Sequence, residues 1–290
     1  MSTSIPLELI QTCELEILKH IRDLCDRNGL TYFLAYGSLI GAVRHQGFIP
    51  WDDDVDIHMP REDYLKLAEI MAREQHPYYR LISRETSPKF SHILAKVIDA
   101  RTKLRQRTYW SEKVPLGIYV DVFLLDGAGD TPEEAEAAYT EAYLCYRHWE
   151  RAATIMFPPN KGHRYYFRKW LHNIPEKLKG VRYWMDQHTA LCMRKSYYDC
   201  EFVAAMGAGS KSPARNVWKR DWFGNGTEVV FCGEFFRVPE NWDLILRPEY
   251  GDYMQLPPPE KRVSRHSYDL TIPDPTVLEE LSELAKTRRQ

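Results

Sequence analysis

The amino-acid sequence predicts an α/β (α+β) fold, and three observations support this prediction. Helix-like and strand-like stretches alternate over residues 6–76. Several strand-like stretches then follow one another up to residue 127. In the stretch DVDIHM (residues 54–59), acidic residues alternate with apolar ones, which is typical of a strand with two different faces.

The elements of the N-terminal half follow from apolar periodicity and from residues that begin or end helices. Ser38 is a natural N-cap, Pro60 suits the first position of a helix, and Thr131 with the glutamates after it suits another helix start. We therefore predict helices over 6–29, 38–47, 60–76 and 131–153, and strands over 31–37, 54–59, 78–83, 93–100, 102–109 and 117–127.

The C-terminal half is predicted to begin after a Pro/Gly-rich connector at 157–163. Residues 161–184 hold seven Lys/Arg, two histidines, interleaved aromatics and one acid, Glu176. This segment is either a helical pair with packed aromatics and solvated bases, or a surface for an anionic acceptor or a membrane. We predict strands over 201–207, 227–231 and 234–239 and a terminal helix from Pro275. The proposed division is a core over 1–157, a basic and aromatic helical segment over 158–200, and a part over 201–290 that completes the site.

Composition excludes several classes of protein. Lys+Arg number 39 and Asp+Glu 41, so a general nucleic-acid binder is not expected. No apolar run approaches the ~20 residues of a membrane helix, and the acidic, amphipathic start lacks the features of a signal peptide. We expect a cytoplasmic protein, and the basic segment leaves open a peripheral contact at the inner face of the membrane.

The six cysteines are scattered and predict buried free thiols. His188, Cys192 and Cys200 are conceivable zinc ligands. This reading is disfavoured because a fourth ligand and a standard spacing are missing.

The acidic cluster at residues 52–56 is the main functional signal. On a strand, Asp54 and Asp56 share one face, roughly 7 Å apart, while the apolar residues between them face the other way. Two such carboxylates can bind a hard cation, typically Mg²⁺ on a phosphate-rich ligand. A solvated acidic turn explains Asp52 and Asp53, but not Asp56.

A calcium loop of the EF-hand type is the nearest alternative. Asp52, Asp54 and Asp56 fit its first three ligand positions, but Ile57 stands where glycine is needed and Asp63 replaces the bidentate glutamate. The loop is therefore rejected.

Two further features complete a predicted phosphate and metal site. Gly37 and Ser38 follow a strand at a helix start, where backbone N–H groups can bind a phosphate. Asp121 is a lone charge in an apolar strand, which is costly unless the carboxylate is paired or binds a metal. Three acids can hold two cations, and the third acid can also receive the proton of an attacking hydroxyl.

At these residues the chain resembles the LicD family, which includes the catalytic part of fukutin-related proteins. The matching stretches are FLAYGSLIGAVRHQGFIPWDDDVDIHMPREDY, KVIDARTK, GIYVDVFLLDG and YGDYMQLPPPEKRVSRH. The resemblance implies a nucleotidyltransferase core of the polymerase-β kind with a mixed sheet and a helical C-terminal subdomain. It implies Mg²⁺, or Mn²⁺, as the cofactor. The donor would be a CDP-alcohol such as CDP-choline, and the acceptor a glycan or lipid-linked glycan, for example of lipopolysaccharide or teichoic acid.

The resemblance also implies roles for individual residues. Gly37 and Ser38 would hold the donor phosphates, and Asp54, Asp56 and Asp121 would be the catalytic and metal-binding acids. Lys96 and Arg101 would contact the pyrophosphate, and Arg44 and His266 are further candidates for donor binding.

Two other functions stay open from the sequence. One is an NTP-dependent nucleotidyltransferase acting on RNA or a small molecule, and the basic segment is compatible with this function. The other is a non-catalytic module that binds a nucleotide or a glycan, against which the intact acidic residues argue.

Overall fold

The computed structural model describes residues 5–106, 114–154, 163–264 and 268–287. Within these residues nine α-helices form: α1 Leu7–Asn28, α2 Tyr36–His45, α3 Arg61–Glu74, α4 Pro132–Ala153, α5 His163–His172, α6 Ile174–Lys179, α7 Val181–Cys192, α8 Trp242–Tyr250 and α9 Pro275–Thr287. Ten strands form as well: β1 Phe33–Leu34, β2 Val55–Pro60, β3 Tyr79–Ile82, β4 Ala95–Gln106, β5 Leu116–Gly129, β6 Phe202–Ala204, β7 Val217–Lys219, β8 Thr227–Phe231, β9 Glu234–Val238 and β10 Tyr268–Thr271.

The central sheet is mixed, which confirms the predicted fold class. Its order is β1-β2-β5-β4-β10, with β2 and β5 parallel and the other neighbours antiparallel. The strand β3 pairs with the first half of β4, and β10 pairs with its second half. The far end of the long strand β5 pairs with β6, which pairs in turn with β7. β5 is therefore the strand that joins the two parts of the sheet.

The apolar core lies between one face of the sheet and α1. Val55, Val97 and Val120 point to this face and are fully buried. The apolar residues of α1 recur three and four apart, so one side of the helix packs on β4 and β5 while α9 packs on α1. Since side chains alternate along a strand, the residues between these valines face the opposite side of the sheet.

Most predicted elements are confirmed, and the differences have local causes. The strand predicted over 31–37 is only Phe33–Leu34, because α2 already begins at Tyr36. The two strands predicted over 93–100 and 102–109 are one strand, β4, with a register shift between Asp99 and Leu104. Residues 107–109 of the second prediction lie outside the described part of the chain. The sequence analysis missed α8, β7 and β10 entirely.

The segment after the connector forms three consecutive helices rather than a pair. α7 packs on α4, which Thr131 caps by accepting a hydrogen bond from the backbone N–H of Glu134 at 3.3 Å. The boundaries proposed at 157 and 200 stay predictions. In the described residues, no helix combines the length and apolar character needed to cross a bilayer.

All six cysteines are free, five of them buried, as the sequence predicted. His188 and Cys192 are neighbours, with 3.6 Å between Nδ1 and Sγ. Among the described residues, the His, Cys, Asp and Glu side chains close enough to share a metal are Asp52, Asp53 and Asp54.

Candidate active site

Three predicted site residues form a row across three adjacent strands. Asp56 of β2 is the register partner of Asp121 of β5, and Asp121 is the register partner of Lys96 of β4. Neighbouring strands lie ~4.8 Å apart, so register partners project side by side from the same face. The ammonium group of Lys96 forms an ion pair with the Asp121 carboxylate. The tertiary structure therefore brings together acids that lie 65 positions apart in the sequence.

The three aspartates before β2 add more negative charge to one end of this row. These residues are Asp52, Asp53 and Asp54, and one carboxylate oxygen of each lies within 4.8 Å of the others. Asp53 is only 7% exposed, so the interpretation of this stretch as a solvated turn is wrong for that residue. Burial, together with the charges of Asp54 and Asp121, raises the pKa of Asp56 above its ordinary value, and Lys96 opposes this rise. The arrangement is one that a bound cation would stabilise.

Gly37 and Ser38 hold the start of α2 against the acidic residues. A Cβ atom at Gly37 would lie 2.7 Å from Oδ2 of Asp52, so a side chain at this position would displace that carboxylate. Ser38 was predicted to cap the helix, and this is wrong, because α2 begins two residues earlier after Ala35. The Ser38 hydroxyl instead accepts a hydrogen bond from the backbone N–H of Asp56 at 2.9 Å. Ser38 thus links α2 to β2.

Tyr36, the first residue of α2, has an unusual backbone conformation. Its φ of 44° lies in the left-handed region, which is uncommon for an aromatic residue. Its hydroxyl donates to Oδ1 of Asn216 at 2.8 Å, and its ring contacts His58 and Phe123. These contacts compensate for the backbone strain and fix the direction in which the helix N-terminus points. Strain of this kind concentrates at functional sites.

Glu14 of α1 is a site residue that the sequence analysis missed. Its carboxyl group is buried, and Oε2 has no hydrogen-bond partner among the described residues. Burial and the charges of Asp54 and Asp53 raise its pKa above the ordinary value of 4.5. The available signal was a glutamate between Cys13 and Leu15 on the helix side that packs inward.

A cleft of about 650 Å³ opens above the acidic residues. One wall is the start of α2 with Asp52, Asp54 and Asp56, and the opposite wall comes from residues 250–263. Arg44 lines the cleft and joins its walls, because the guanidinium donates to the backbone carbonyl of Tyr253. Lys261 and the aromatic residues Tyr36, Trp51, Tyr250 and Tyr253 also line the cleft. Of these aromatic residues, only Tyr36 is next in the sequence to a predicted site residue, Gly37.

Arg101 is a predicted donor-binding residue that does not line this cleft. Arg101 lies on the α1 face of the sheet, where its guanidinium binds Asp99 and Glu280. Lys96 and Arg101 differ by an odd number of positions along one strand, so alternation places them on opposite faces. His266 lies outside the described residues.

The site combines two acids in register on neighbouring strands of a mixed sheet with a helix N-terminus that contains a glycine. This combination defines a nucleotidyltransferase-type site. Residues 29–125 match the family description "LicD/FKTN/FKRP, nucleotidyltransferase domain". This match covers Gly37, Ser38, Asp54, Asp56 and Asp121. The resemblance to the LicD family is thereby confirmed for this part of the chain.

Comparison with individual proteins extends the similarity to most of the chain. The lipopolysaccharide cholinephosphotransferase LicD of Haemophilus influenzae is 27% identical over 269 residues, which are 89% of this chain and 95% of that protein. The human ribitol 5-phosphate transferase FKRP is 42% identical over 59 residues, 20% of this chain and 12% of that protein. The uncharacterized protein RP689 of Rickettsia prowazekii is 43% identical over 56 residues, 19% of this chain and 21% of that protein. The predicted enzyme class, a LicD-type phosphotransferase, is confirmed.

Proposed function

We propose that this phosphotransferase moves a phospho-alcohol group, such as phosphocholine, from a CDP-alcohol to a hydroxyl of a glycan. The observation that carries the proposal is the in-register row of Asp56, Asp121 and Lys96, in which Asp56 lines a cleft that also contains the N-terminus of α2. Two relatives support the kind of reaction, since their names describe transfer of cholinephosphate and of ribitol 5-phosphate.

The residues fit a divalent cation of the Mg²⁺ or Mn²⁺ type. Asp54, Asp56 and Asp121 offer only carboxylate oxygens, which are the ligands that hard cations prefer. In the metal-free chain Asp121 is paired with Lys96, and the carboxylates within 4.8 Å of one another are those of Asp52, Asp53 and Asp54, so the three predicted ligands would have to turn toward a shared cation. Asp56 is buried among like charges, and the partly exposed Asp54 lines the cleft. When bound there, a divalent cation would neutralise charge on the donor diphosphate.

Donor phosphates are placed against the start of α2. The first backbone N–H groups of a helix have no partner within the helix and attract anions. Gly37 has no side chain, so a phosphate can approach the backbone closely. Arg44 and Lys261 line the same cleft and supply positive charge on the side away from the aspartates.

Asp121 is the residue assigned to receive the proton. In the proposed reaction the acceptor oxygen bonds to the phosphorus that carries the alcohol, the bond from that phosphorus to CMP breaks, and the hydroxyl proton passes to the Asp121 carboxylate. Lys96 orients this carboxylate through their ion pair and stacks on the ring of Tyr119, 3.6 Å from the ring centroid. Catalysis would come mostly from positioning and from charge stabilisation.

The aromatic lining of the cleft favours a cationic alcohol. Tyr36, Trp51, Tyr250 and Tyr253 all border the cleft. Aromatic faces attract quaternary ammonium groups, which the aspartates also favour by charge. Choline is therefore the preferred alcohol, and an uncharged alcohol such as ribitol would gain nothing from these rings as cation-binding faces.

The test is a mass-spectrometric assay with CDP-choline, CDP-ribitol, CTP or ATP, a glycan acceptor, and Mg²⁺ or EDTA. We expect CMP and a phosphocholine-bearing product from CDP-choline only when Mg²⁺ is present. Asp121→Asn should abolish the product, whereas Arg101→Gln, a charge change on the other face of the sheet, should retain it. Product from CTP or ATP alone, or full activity of Asp121→Asn, would contradict the proposal.

A further inference from the structure

The helix α5 lies on the surface with its apolar side chains uncovered. Phe167 is 61% exposed and Trp170 48%, and their rings stack on each other with centroids 6.5 Å apart. Leu171 is also exposed, and from residue 164 to residue 172 no side chain of this helix is buried. A ten-residue helix is marginal in water by itself, because its hydrogen bonds barely offset the cost of nucleation. A further surface is therefore expected to cover it.

The apolar residues of α5 form one stripe. Tyr166, Phe167, Trp170 and Leu171 fall at relative positions 0, 1, 4 and 5, which span an arc of about 140° on a helix. Arg164 and Arg168 follow at the edge of this arc and are exposed. Neither arginine forms an ion pair with any other residue in the described ranges. The stripe is thus apolar in its middle and cationic at its margin.

The same pattern continues into α6 and α7. Leu178 is 83% exposed and is followed by the exposed bases Lys179 and Arg182. Tyr183 is exposed beside them. We call the whole set the basic-aromatic surface, and it consists of Arg164, Tyr166, Phe167, Arg168, Trp170, Leu171, Leu178, Lys179, Arg182 and Tyr183.

The charges of this surface indicate what covers it. Two acids adjoin this surface in the described part of the segment. The carboxylate of Glu176 is buried against His148 and Arg151, and Asp186 forms ion pairs with Arg84 and, at 3.3 Å, with Arg182. The bases of the surface that have no ion pair within the described residues are therefore Arg164, Arg168 and Lys179. The chain as a whole carries a net charge of −2, so the positive charge is a local excess. A second copy of the same surface would bring like charges together, which is unfavourable.

The residue types indicate a lipid surface in particular. Trp and Tyr are enriched where an apolar phase meets water, because one part of the ring system is apolar and another is polar. A short helix with aromatic residues on one side and arginines at its margin binds the interface of an anionic bilayer. We propose that the basic-aromatic surface docks the enzyme on an anionic membrane. This proposal does not depend on which group the enzyme transfers.

The experiment is co-sedimentation of the full chain with vesicles of phosphatidylcholine alone and of phosphatidylcholine with 30% phosphatidylglycerol. We expect binding to the anionic vesicles that weakens with added salt, because surface charge attraction is screened. Phe167→Ser/Trp170→Ser should abolish the binding. Arg164→Gln/Arg168→Gln should weaken it by about tenfold or more, at ~1 kcal/mol for each basic residue near the membrane.

Matched control variants lie elsewhere on the surface. Phe235→Ser removes an aromatic side chain of similar exposure, 58%, from β9, and Arg73→Gln/Lys211→Gln removes two exposed charges. Both should bind anionic vesicles as the parent protein does. The Phe167 and Trp170 variant should keep the parent melting temperature, so that loss of binding is not loss of folding.

Three results would overturn the proposal. The first is equal binding to both kinds of vesicle, or to neither. The second is equal loss of binding in the control variants. The third is a dimer, measured by light scattering, that dissociates in Phe167→Ser/Trp170→Ser, since a second copy would then be what covers the surface.

Discussion

Neutralising Asp56 tests the electrostatic character of the site more directly than an activity assay. Asp56 lies beside Asp121 in the sheet, and Asp54, two residues earlier, lines the same cleft. Burial of Asp56 removes much of the water that would screen these charges. Asp56→Asn keeps the size and shape of the side chain and removes one charge. We expect the metal-free protein to become more stable while transferase activity is lost.

The magnitude follows from the strand spacing. Two unit charges ~5 Å apart at an effective dielectric constant of ~20 repel by about 3 kcal/mol. The attraction of Lys96 and partial protonation of Asp56 reduce this figure, so a gain in the free energy of unfolding of about 1–3 kcal/mol is expected. For a chain of this size that gain corresponds to a rise in melting temperature of roughly 2–5 °C.

The assay is thermal unfolding in EDTA and in excess Mg²⁺. In EDTA, Asp56→Asn should melt above the parent protein. Mg²⁺ should stabilise the parent, because it binds the folded state, and should stabilise the variant much less. Asp199→Asn removes an exposed aspartate elsewhere on the surface and serves as the matched control, with no change expected under either condition. A variant that melts below the parent in EDTA, or one that Mg²⁺ stabilises as strongly as the parent, would refute the idea that these aspartates repel one another until a cation binds.

Three further predictions concern the same site. Gly37→Ala should displace the Asp52 carboxylate, so the Mg²⁺ concentration needed for activity should rise while the free energy of unfolding changes by less than about 1 kcal/mol, and adding Asp52→Ala should not restore activity. Ser38→Ala removes the acceptor of the buried Asp56 N–H and should cost about 1–3 kcal/mol in denaturant unfolding, and an unchanged midpoint would show that the hydrogen bond contributes little. The raised pKa values of Glu14 and Asp56 mean that the folded state binds their protons more tightly than the unfolded chain does. In EDTA, stability should therefore fall as the pH rises from about 4 through these raised pKa values, and Glu14→Gln should flatten that decline; stability that instead increases over this range would contradict the assignment.

Short-range patterns in the sequence were sufficient to predict much of the fold and part of the site. The three-and-four spacing of apolar residues in α1 and the cap at Thr131 depend on residues within a few positions of each other. Alternation along one strand predicted a common face for Asp54 and Asp56, and both do line the cleft, although β2 begins only at Val55. The Gly-Ser stretch was likewise correctly placed at the beginning of a helix, although the exact starting residue was not.

The arrangement of the site was decided by strand pairing between distant segments. The register of β5 with β2 places Asp121 beside Asp56, and the register of β5 with β4 lets Lys96 bind Asp121. No local sequence pattern specifies these registers. Arg101 entered the predicted site only through its position in the matching stretch KVIDARTK, and the contacts of its guanidinium with Asp99 and Glu280 become apparent only in the tertiary structure. Glu14 was missed for a similar reason. Its pKa is raised by burial and by the charges of aspartates that are distant in the sequence, and no local pattern shows this proximity. Local sequence determined which elements form, while tertiary contacts determined which charges meet, because electrostatic interactions depend on distance in space and not on separation along the chain.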